Sequence, residues 1–369
     1  MQKLSDFYQS IFGCKTYKIS LDAGCTCPNR DGTKGTGGCI FCSENGSGDV
    51  AAGRTLPIKE QVEAAKELVQ SKIRGRGGER TGKYIAYFQN FSSTYGDAKT
   101  LLKKYREALA CENVTGLAVA TRPDCLTSEM LQGLSEIART YFVQLELGLQ
   151  TSNEKTGAFI NRCYTNKDYT DAVYRIRKAA PQIHIVTHLI FGLPGETEQD
   201  MLNSVKFVVE QNIPHPELED CHLELENCHA ELVSASIEKD PDLRRDDSPR
   251  MHDSCHPELE DCHAELEDCH PELFSGSSFG LKITSLYILK NTPLAAMYEA
   301  GNFQPLTKEA YFSLLEKALP LLPENCIVHR LTGDPPKRLL IAPAWTTDKK
   351  RVLNELQNII KKSASNETL

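Results

Sequence analysis

The sequence predicts an α/β fold: a barrel or partial barrel of six parallel strands, carrying a small C-terminal α+β cap and a low-complexity insertion. Three observations predict it. Six short apolar runs rich in β-branched residues alternate with amphipathic helical patterns between residues 17 and 289. A seven-residue repeat interrupts that alternation at 214–279, and from 303 onward the chain turns helical around one further apolar run. Strands alternating with helices imply a parallel sheet with helices packed outside it.

The six runs are YKISLD (17–22), KYIAYFQ (83–89), TGLAVAT (115–121), FVQLELGL (142–149), IHIVTHLIFGL (183–193) and LKITSLYIL (281–289). They are apolar on both faces, as strands buried on both sides of a parallel sheet must be. Helical patterns lie near 57–74, 97–110, 128–139, 167–180 and 197–211, and Thr197 with Asp200 forms a capping-box signature at the start of the last. The barrel is expected over 1–213 and 280–302. The cap, at 303–369, holds LTKEAYFSLLEKALPLL, the apolar run CIVHRLTG and KKRVLNELQNIIKK. In such folds the chemistry collects in the loops at the C-terminal ends of the strands.

The insertion reads CHLELEN, CHAELVS, CHPELED, CHAELED and CHPELFS, with PHPELED as a further copy. Its period of seven resembles coiled-coil spacing, but Pro216, Pro257 and Pro271 break any long helix. With 19 acidic and 4 basic residues, and few large hydrophobes, it reads as a disordered passenger. Its five Cys-His pairs are good metal ligands by type, but the repetition itself explains why each copy carries the pair. The insertion also masks the charge of the rest. The formal net charge of −8 becomes a basic balance of 38 against 31 once residues 214–279 are set aside. A basic body is compatible with an anionic partner such as RNA. No run of eighteen apolar residues occurs, so no membrane span is expected, and MQKLSDFYQSIFG lacks the layout of a secretory signal. A cytoplasmic protein is expected, and its fourteen cysteines read as thiols or metal ligands rather than a disulfide framework.

The stretch CTCPNRDGTKGTGGCIFC follows the first strand, where a catalytic loop would sit. Its cysteines are spaced Cys-X-Cys-X11-Cys-X2-Cys from Cys25 to Cys42. Four thiolates would close a tetrahedral zinc site. Three at X11 and X2 would hold three irons of a [4Fe–4S] cluster and leave one iron open, whereas full ligation takes four. Spacing alone leaves zinc, cluster and unliganded thiols open.

CPNRDGTKGTGGCIFC, YFQNFSSTY, TRPDCL, ELGLQT, HLIFGLPGET and IVHRLTGD occur in that order, each at or just after a predicted strand. Together they closely resemble the YhcC-like bacterial subgroup of the radical SAM superfamily, which is related in its core to the Elongator catalytic subunit. The resemblance covers nearly all of the chain outside 214–279. It implies a partial (β/α)6 TIM-type barrel, a [4Fe–4S] cluster and S-adenosylmethionine (SAM), with Cys27, Cys39 and Cys42 as ligands and Cys25 as a bystander. It implies an enzyme that cleaves SAM reductively to a 5′-deoxyadenosyl radical, which then takes hydrogen from a substrate. A reduced ferredoxin or flavodoxin-type donor would supply the electron. The substrate is left unnamed. A tRNA-modifying enzyme is one alternative, and a non-catalytic zinc or iron–sulfur binding protein is another.

By the same resemblance, Gln89, Asn90, Glu146, Gln150, Gly192 and Gly195 are expected to contact SAM. For three of them there is a structural counter-reading: a buried carboxylate for Glu146, and a tight turn before a helix for the two glycines. Arg122 is expected to pair with an anion or with Asp124, and His188 to be a satisfied core histidine. His329 and Arg330 are candidate substrate or structural contacts. The sixth strand departs from the family pattern: Thr284 and Tyr287 stand where histidines are expected, and Asn291 where a glycine is.

If the repeat is a passenger, replacing residues 214–279 by a short Gly-Ser linker leaves a folded chain, because closure entropy grows only with the logarithm of loop length. The deletion is expected to retain cluster iron and to lose scavenged zinc. A thermal melt with metal analysis checks it, and an unfolded or iron-free product would make the repeat part of the fold.

Overall fold

The computed structural model describes residues 1–44, 46, 54–74, 82–212 and 278–366. The repeat expected at 214–279 lies outside the described residues except for its last two positions. All six expected strands form. They are β2 (Thr16–Leu21), β3 (Lys83–Phe88), β4 (Val114–Thr121), β5 (Phe142–Gln150), β6 (His184–Phe191) and β7 (Phe279–Ser285). They pair in parallel in that order.

One face of each strand feeds the main core. Ile19, Leu117, Leu145, Ile185 and Leu281 are buried there. Above them pack α2 (Ile58–Arg74), α3 (Ala98–Leu109), α4 (Ser128–Ile137), α6 (Asn166–Ala179) and α7 (Glu198–Asn212). The short α5 (Glu154–Phe159) sits between β5 and α6. Helix starts follow their caps. Asp97 and Thr127 accept from backbone N–H groups three residues on, and Thr165 with Asp168 closes a capping box. The capping box expected at Thr197 and Asp200 forms as well, the Thr197 N–H donating to Asp200 at 2.9 Å.

The sheet is curled. Lys18 on β2 and Lys282 on β7 both reach Glu146 on β5, at 2.7 and 3.0 Å. Strands five apart in a flat sheet lie roughly 24 Å apart, so one carboxylate meets both lysines only across the concave side of a half-barrel.

The sheet is also wider than the six runs suggest. Its full order is β1-β9-β7-β6-β5-β4-β3-β2. Strand β9 (Cys326–Arg330), expected in the cap, pairs in parallel with β7, and β1 (Gln2–Lys3) pairs with β9. A five-residue apolar run carries no sign of which edge it will join; partner choice is tertiary. Helix α1 (Leu4–Phe12), not expected from the sequence, follows β1. Its Phe7, Tyr8 and Phe12 form a separate core with Ile85, Tyr87, Ala118 and Ile327, and their rings contact Phe142 and His184. These partners include the first residues of β5 and β6, so α1 plugs the N-terminal end of the half-barrel. Of the expected cap, residues 303–369, there remain α9 (Lys308–Ala318), α10 (Lys349–Asn366) and β10 (Leu340–Ala342), while α8 (Pro293–Glu299) and β8 (Ile288–Leu289), the end of the expected sixth strand, precede it; β8 and β10 form a two-stranded antiparallel ribbon.

Two departures in the sixth-strand region have local explanations. Asn291 has φ 62°, the left-handed conformation that Asn tolerates best among residues with a Cβ. The backbone is therefore one that a glycine there would also adopt. The Tyr287 ring fills space that exists only because residue 333 is a glycine: a Cβ on Gly333 would fall 0.9 Å from the Tyr287 hydroxyl oxygen. Gly333→Ala is expected to destabilise the chain by about 1–3 kcal/mol, the usual cost of overpacking. Chemical denaturation checks it, and Gly333→Ala combined with Tyr287→Phe should recover part of the loss.

Candidate functional site

The C-terminal ends of the parallel strands converge on the loop that begins at Asp22. This loop is stitched by its own backbone. Cys27 carbonyl accepts from the N–H of Arg30, Pro28 from Lys34, Asn29 from Gly38, and Cys39 from Cys42. Glycines permit the path. Gly32, Gly37 and Gly38 have φ of 90°, 77° and 81°, and a Cβ on Gly38 would lie 2.8 Å from the Arg30 guanidinium.

Three basic or amide side chains fix the loop, two of its own and one from β4's end. Arg30 donates to the carbonyls of Ser43 (2.6 Å) and Cys42 (3.3 Å) and lies over the Phe91 ring. Asn29 donates to the Asn161 carbonyl and to the Cys39 sulfur at 3.8 Å. Arg122, after β4, pairs with Asp124 through two N–H groups at 2.9 and 2.7 Å. It also donates to the carbonyls of Arg162 and Cys163 and to the Cys27 sulfur, the last at 3.8 Å. The Tyr164 ring packs against both Arg122 and Arg162, at 4.7 and 4.8 Å. Arg162 is fully buried and donates to the carbonyls of Leu149, Thr151 and Tyr164.

The four thiols divide. Cys25 belongs to the main core, and burial pushes its thiol up to about 11. Cys27, Cys39 and Cys42 are half-buried and act on one another. A hydrogen bond from Cys39 holds the Cys42 thiol below its ordinary value, against burial and with help from the Arg30 charge. The same bond, with burial, holds Cys39 up. Burial raises Cys27, while its hydrogen bonds and Arg122 oppose the rise. Among the described residues no trio of His, Cys, Asp or Glu converges as one metal ion requires. Three thiolates that each bind a different iron need no such convergence. A donor set of three neighbouring thiols, two of them accepting N–H groups at sulfur, fits a cluster better than a single zinc ion.

The remaining expected contacts scatter around the mouth. Asn90, after β3, donates to Asp22 at 2.6 Å, and its side-chain amide oxygen is buried with no partner among the described residues. Gln89 precedes it, half-buried. Gln150 ends β5 in the left-handed conformation (φ 63°) and accepts from the Tyr164 hydroxyl at 2.6 Å. Gly195 has φ 85° and open space where a Cβ would point. Two of the expected contacts have protein neighbours of their own. Gly192 (φ 89°) has Leu306 packed 2.9 Å from where a Cβ would stand, so the tail makes a close approach there. Glu146 lies inside the half-barrel with both oxygens taken by Lys18, Gln144, Tyr87 and Lys282, at 2.7, 2.8, 2.5 and 3.0 Å. It is a cross-barrel strut. His188 meets the expectation of a satisfied histidine, bonded to Thr284 at 3.0 Å.

Sequence reading missed Glu196. It sits in the LPGE turn after β6, accepts from the Thr151 hydroxyl, and leaves its second oxygen buried without a partner among the described residues. Its only signal was adjacency to Gly195.

A half-barrel of parallel strands with a glycine-rich thiol loop at its mouth is an α/β barrel of the class that carries its site in the strand-end loops. Comparison with known proteins narrows the class. Residues 30–208 match the radical SAM superfamily and residues 279–362 the radical SAM C-terminal domain. YtqA of Bacillus subtilis is 32% identical over 351 residues, covering 94% of this chain and 86% of the relative. YhcC of Escherichia coli is 28% identical over 350 residues, covering 95% and 88%. The archaeal Methanocaldococcus infernus Elp3 structure matches with a TM-score of 0.53 at 13% identity. That match covers 94% of this chain but 63% of Elp3, and shows shared fold alone. The chain belongs to the radical SAM superfamily, in the group that includes YtqA and YhcC. Membership assigns it that superfamily's cofactors, a [4Fe–4S] cluster and SAM.

Burial, reinforced by the Asp200 charge, pushes the Glu196 carboxyl from about 4.5 up to about 7. The folded chain therefore binds this proton more tightly than the unfolded chain. Its contribution is complete below pH 4.5 and is lost as pH rises to about 7. Glu196→Gln is expected to flatten that fall and to stabilise the protein at pH 8 by on the order of 2 kcal/mol. Thermal melts of both proteins at pH 5 and pH 8 check it.

Proposed function

We propose that Cys27, Cys39 and Cys42 hold the [4Fe–4S] cluster, that the fourth iron is left for SAM, and that the substrate enters the mouth of the half-barrel. The observation that carries this reading is the division of the thiols: three share one loop and accept or exchange hydrogen bonds at sulfur, while Cys25 is turned into the core. Bound there, the cluster would supply the electron that breaks the bond from the SAM sulfur to the 5′ carbon, releasing methionine and a 5′-deoxyadenosyl radical. The chain's own residues orient and enclose. Arg122 and Asn29 direct N–H groups at the Cys27 and Cys39 sulfurs, which stabilises thiolate charge. Arg30 and Arg162 hold the loop and its supporting turn in one geometry. Gln89, Asn90, Gln150 and Gly195 stand on the rim as the proposed cofactor contacts, with the orphaned Asn90 oxygen positioned as a spare acceptor. Helix α1 closes the far end of the half-barrel, so ligands enter from the loop side.

A reduced ferredoxin or flavodoxin-type protein is proposed as donor, and the cytoplasm as location. The basic balance outside the repeat supports a second reading, a tRNA-modifying enzyme. RNA that co-purifies and is released by modest salt would favour it. We also propose the domain limits read from the sequence, with 303–369 contributing β9 to the barrel sheet as well as the outer helices.

Each of Cys27→Ala, Cys39→Ala and Cys42→Ala is expected to abolish cluster iron after anaerobic reconstitution. Cys25→Ala should retain it, along with release of 5′-deoxyadenosine under reductant. Iron and sulfide content of the four variants checks this. Loss of iron in Cys25→Ala with retention in Cys42→Ala would overturn the ligand set.

A further inference from the structure

The concave face of the half-barrel is polar and reached by solvent near its mouth. Lys18, Gln150, His188 and Lys282 are half-buried there, whereas their outward neighbours Ile19, Leu149, Leu189 and Leu281 are fully buried or nearly so. Glu146 is the carboxylate of this surface, and two lysines already balance it.

A third cation joins them. Strand β9 runs in register with β7 through Leu281 opposite Val328, and then slips so that Lys282 faces Arg330. A bulge of this kind re-aims the following side chain. The residue skipped is His329, which turns inward onto His184 at 2.8 Å through the space left by Gly280. Arg330 is thereby placed beside Lys282, on the side of the sheet where Lys282 meets Glu146. Its charge is felt by Lys18, Tyr87, His188 and Tyr287. Arg330 is exposed and forms no ion pair or hydrogen bond with a described residue. The carboxylates Asp124 and Asp334 are matched elsewhere, by Arg122 with Lys34 and by Lys349. The Tyr287 hydroxyl, buried against Gly333, also has no partner among the described residues.

Three cations against one carboxylate leave the surface with positive charge unmatched, and the guanidinium that carries it presents a fork suited to two oxygens at once. Resting on the reading that substrate enters this mouth, we propose that the substrate is a small molecule bearing a carboxylate or phosphate group, and that Arg330 with Lys282 seats that oxyanion on β7 and β9. The group is thus held by the strands farthest along the sheet from the thiol loop, which follows β2. The rest of the molecule is left to extend between them toward the cofactor.

The test is calorimetric titration of the cluster-loaded full chain with inorganic phosphate, acetate, SAM and bulk tRNA, at ionic strength held constant with chloride. Phosphate or acetate is expected to bind, and whichever is tighter identifies the group. Arg330→Gln is expected to weaken that anion about tenfold, the usual loss for a charge-assisted pair, and Arg330→Lys to restore part of it. Glu146→Gln, which frees two lysines, is expected to tighten the anion, an effect that a merely structural carboxylate role would not produce. Arg330 is exposed, so its variants should melt as the parent does, and they decide the matter even if Glu146→Gln does not fold. Equal anion affinity in the parent and Arg330→Gln would overturn the proposal. So would displacement of the anion by SAM, which would make the seat the cofactor's. Binding of tRNA alone that depends on Arg330 would overturn it in favour of an RNA substrate. Anion binding is read without turnover, so a preparation that binds anion but no iron would sink the preceding function and not this one.

Discussion

The half-barrel is held in its curl by one buried carboxylate. Glu146 joins Lys18 on β2, Tyr87 on β3, Gln144 on its own strand and Lys282 on β7, linking β5 across the concave face to strands with which it shares no backbone hydrogen bonds. Taking a carboxylate out of water costs several kcal/mol, recovered only with good geometry and satisfied lone pairs. Here burial works against ionisation, but the two lysines and the tyrosine hold the carboxyl well below its usual range. Lys18 feels the converse: burial lowers it most, and Glu146 opposes the fall. The strut's cost is offset by specificity of curvature, since among the described residues no other carboxylate receives both lysines at once.

Curvature then decides what the loops can do. The strand ends carry the thiol loop, Asn90, Arg122, Gln150 and the LPGE turn, which lie far apart in sequence and share one rim. Arg122 shows how tightly the rim is tied. One guanidinium satisfies Asp124, two carbonyls of the turn after α5 and the sulfur of Cys27. Tyr164 packs between it and Arg162 and spends its hydroxyl on Gln150 and the Gly148 carbonyl. A shift of either arginine would therefore reach the thiols and the end of β5 together.

Much of this was legible beforehand. The six strands and five main helices carry periodicities set by burial on two faces or one, and the structure moves most of their ends by a residue or two; the sixth strand stops at Ser285, and Ile288–Leu289 of its expected run join the ribbon instead. The thiol loop was legible because glycine and cysteine spacing are local. The neighbours of Glu146 and Gly192 were not legible, for a common reason. A motif places a residue at a strand end but says nothing of what comes to meet it, and in both cases the visitor is distant in sequence: Lys18 and Lys282 for Glu146, Leu306 for Gly192. Helix α1 was missed because LSDFYQSIF shows its apolar face only once the end of a barrel stands opposite it.

The sequence by itself determined the α/β alternation, the capping boxes, the thiol spacing and the membership that brings a cluster and SAM, because each is written in residues close together along the chain. Tertiary structure alone decided that CIVHR is a strand of the barrel, that a bulge sets Arg330 beside Lys282, and that two lysines meet one carboxylate on the concave face. Those outcomes depend on which strands become neighbours and how far the sheet bends, and no short-range pattern encodes either.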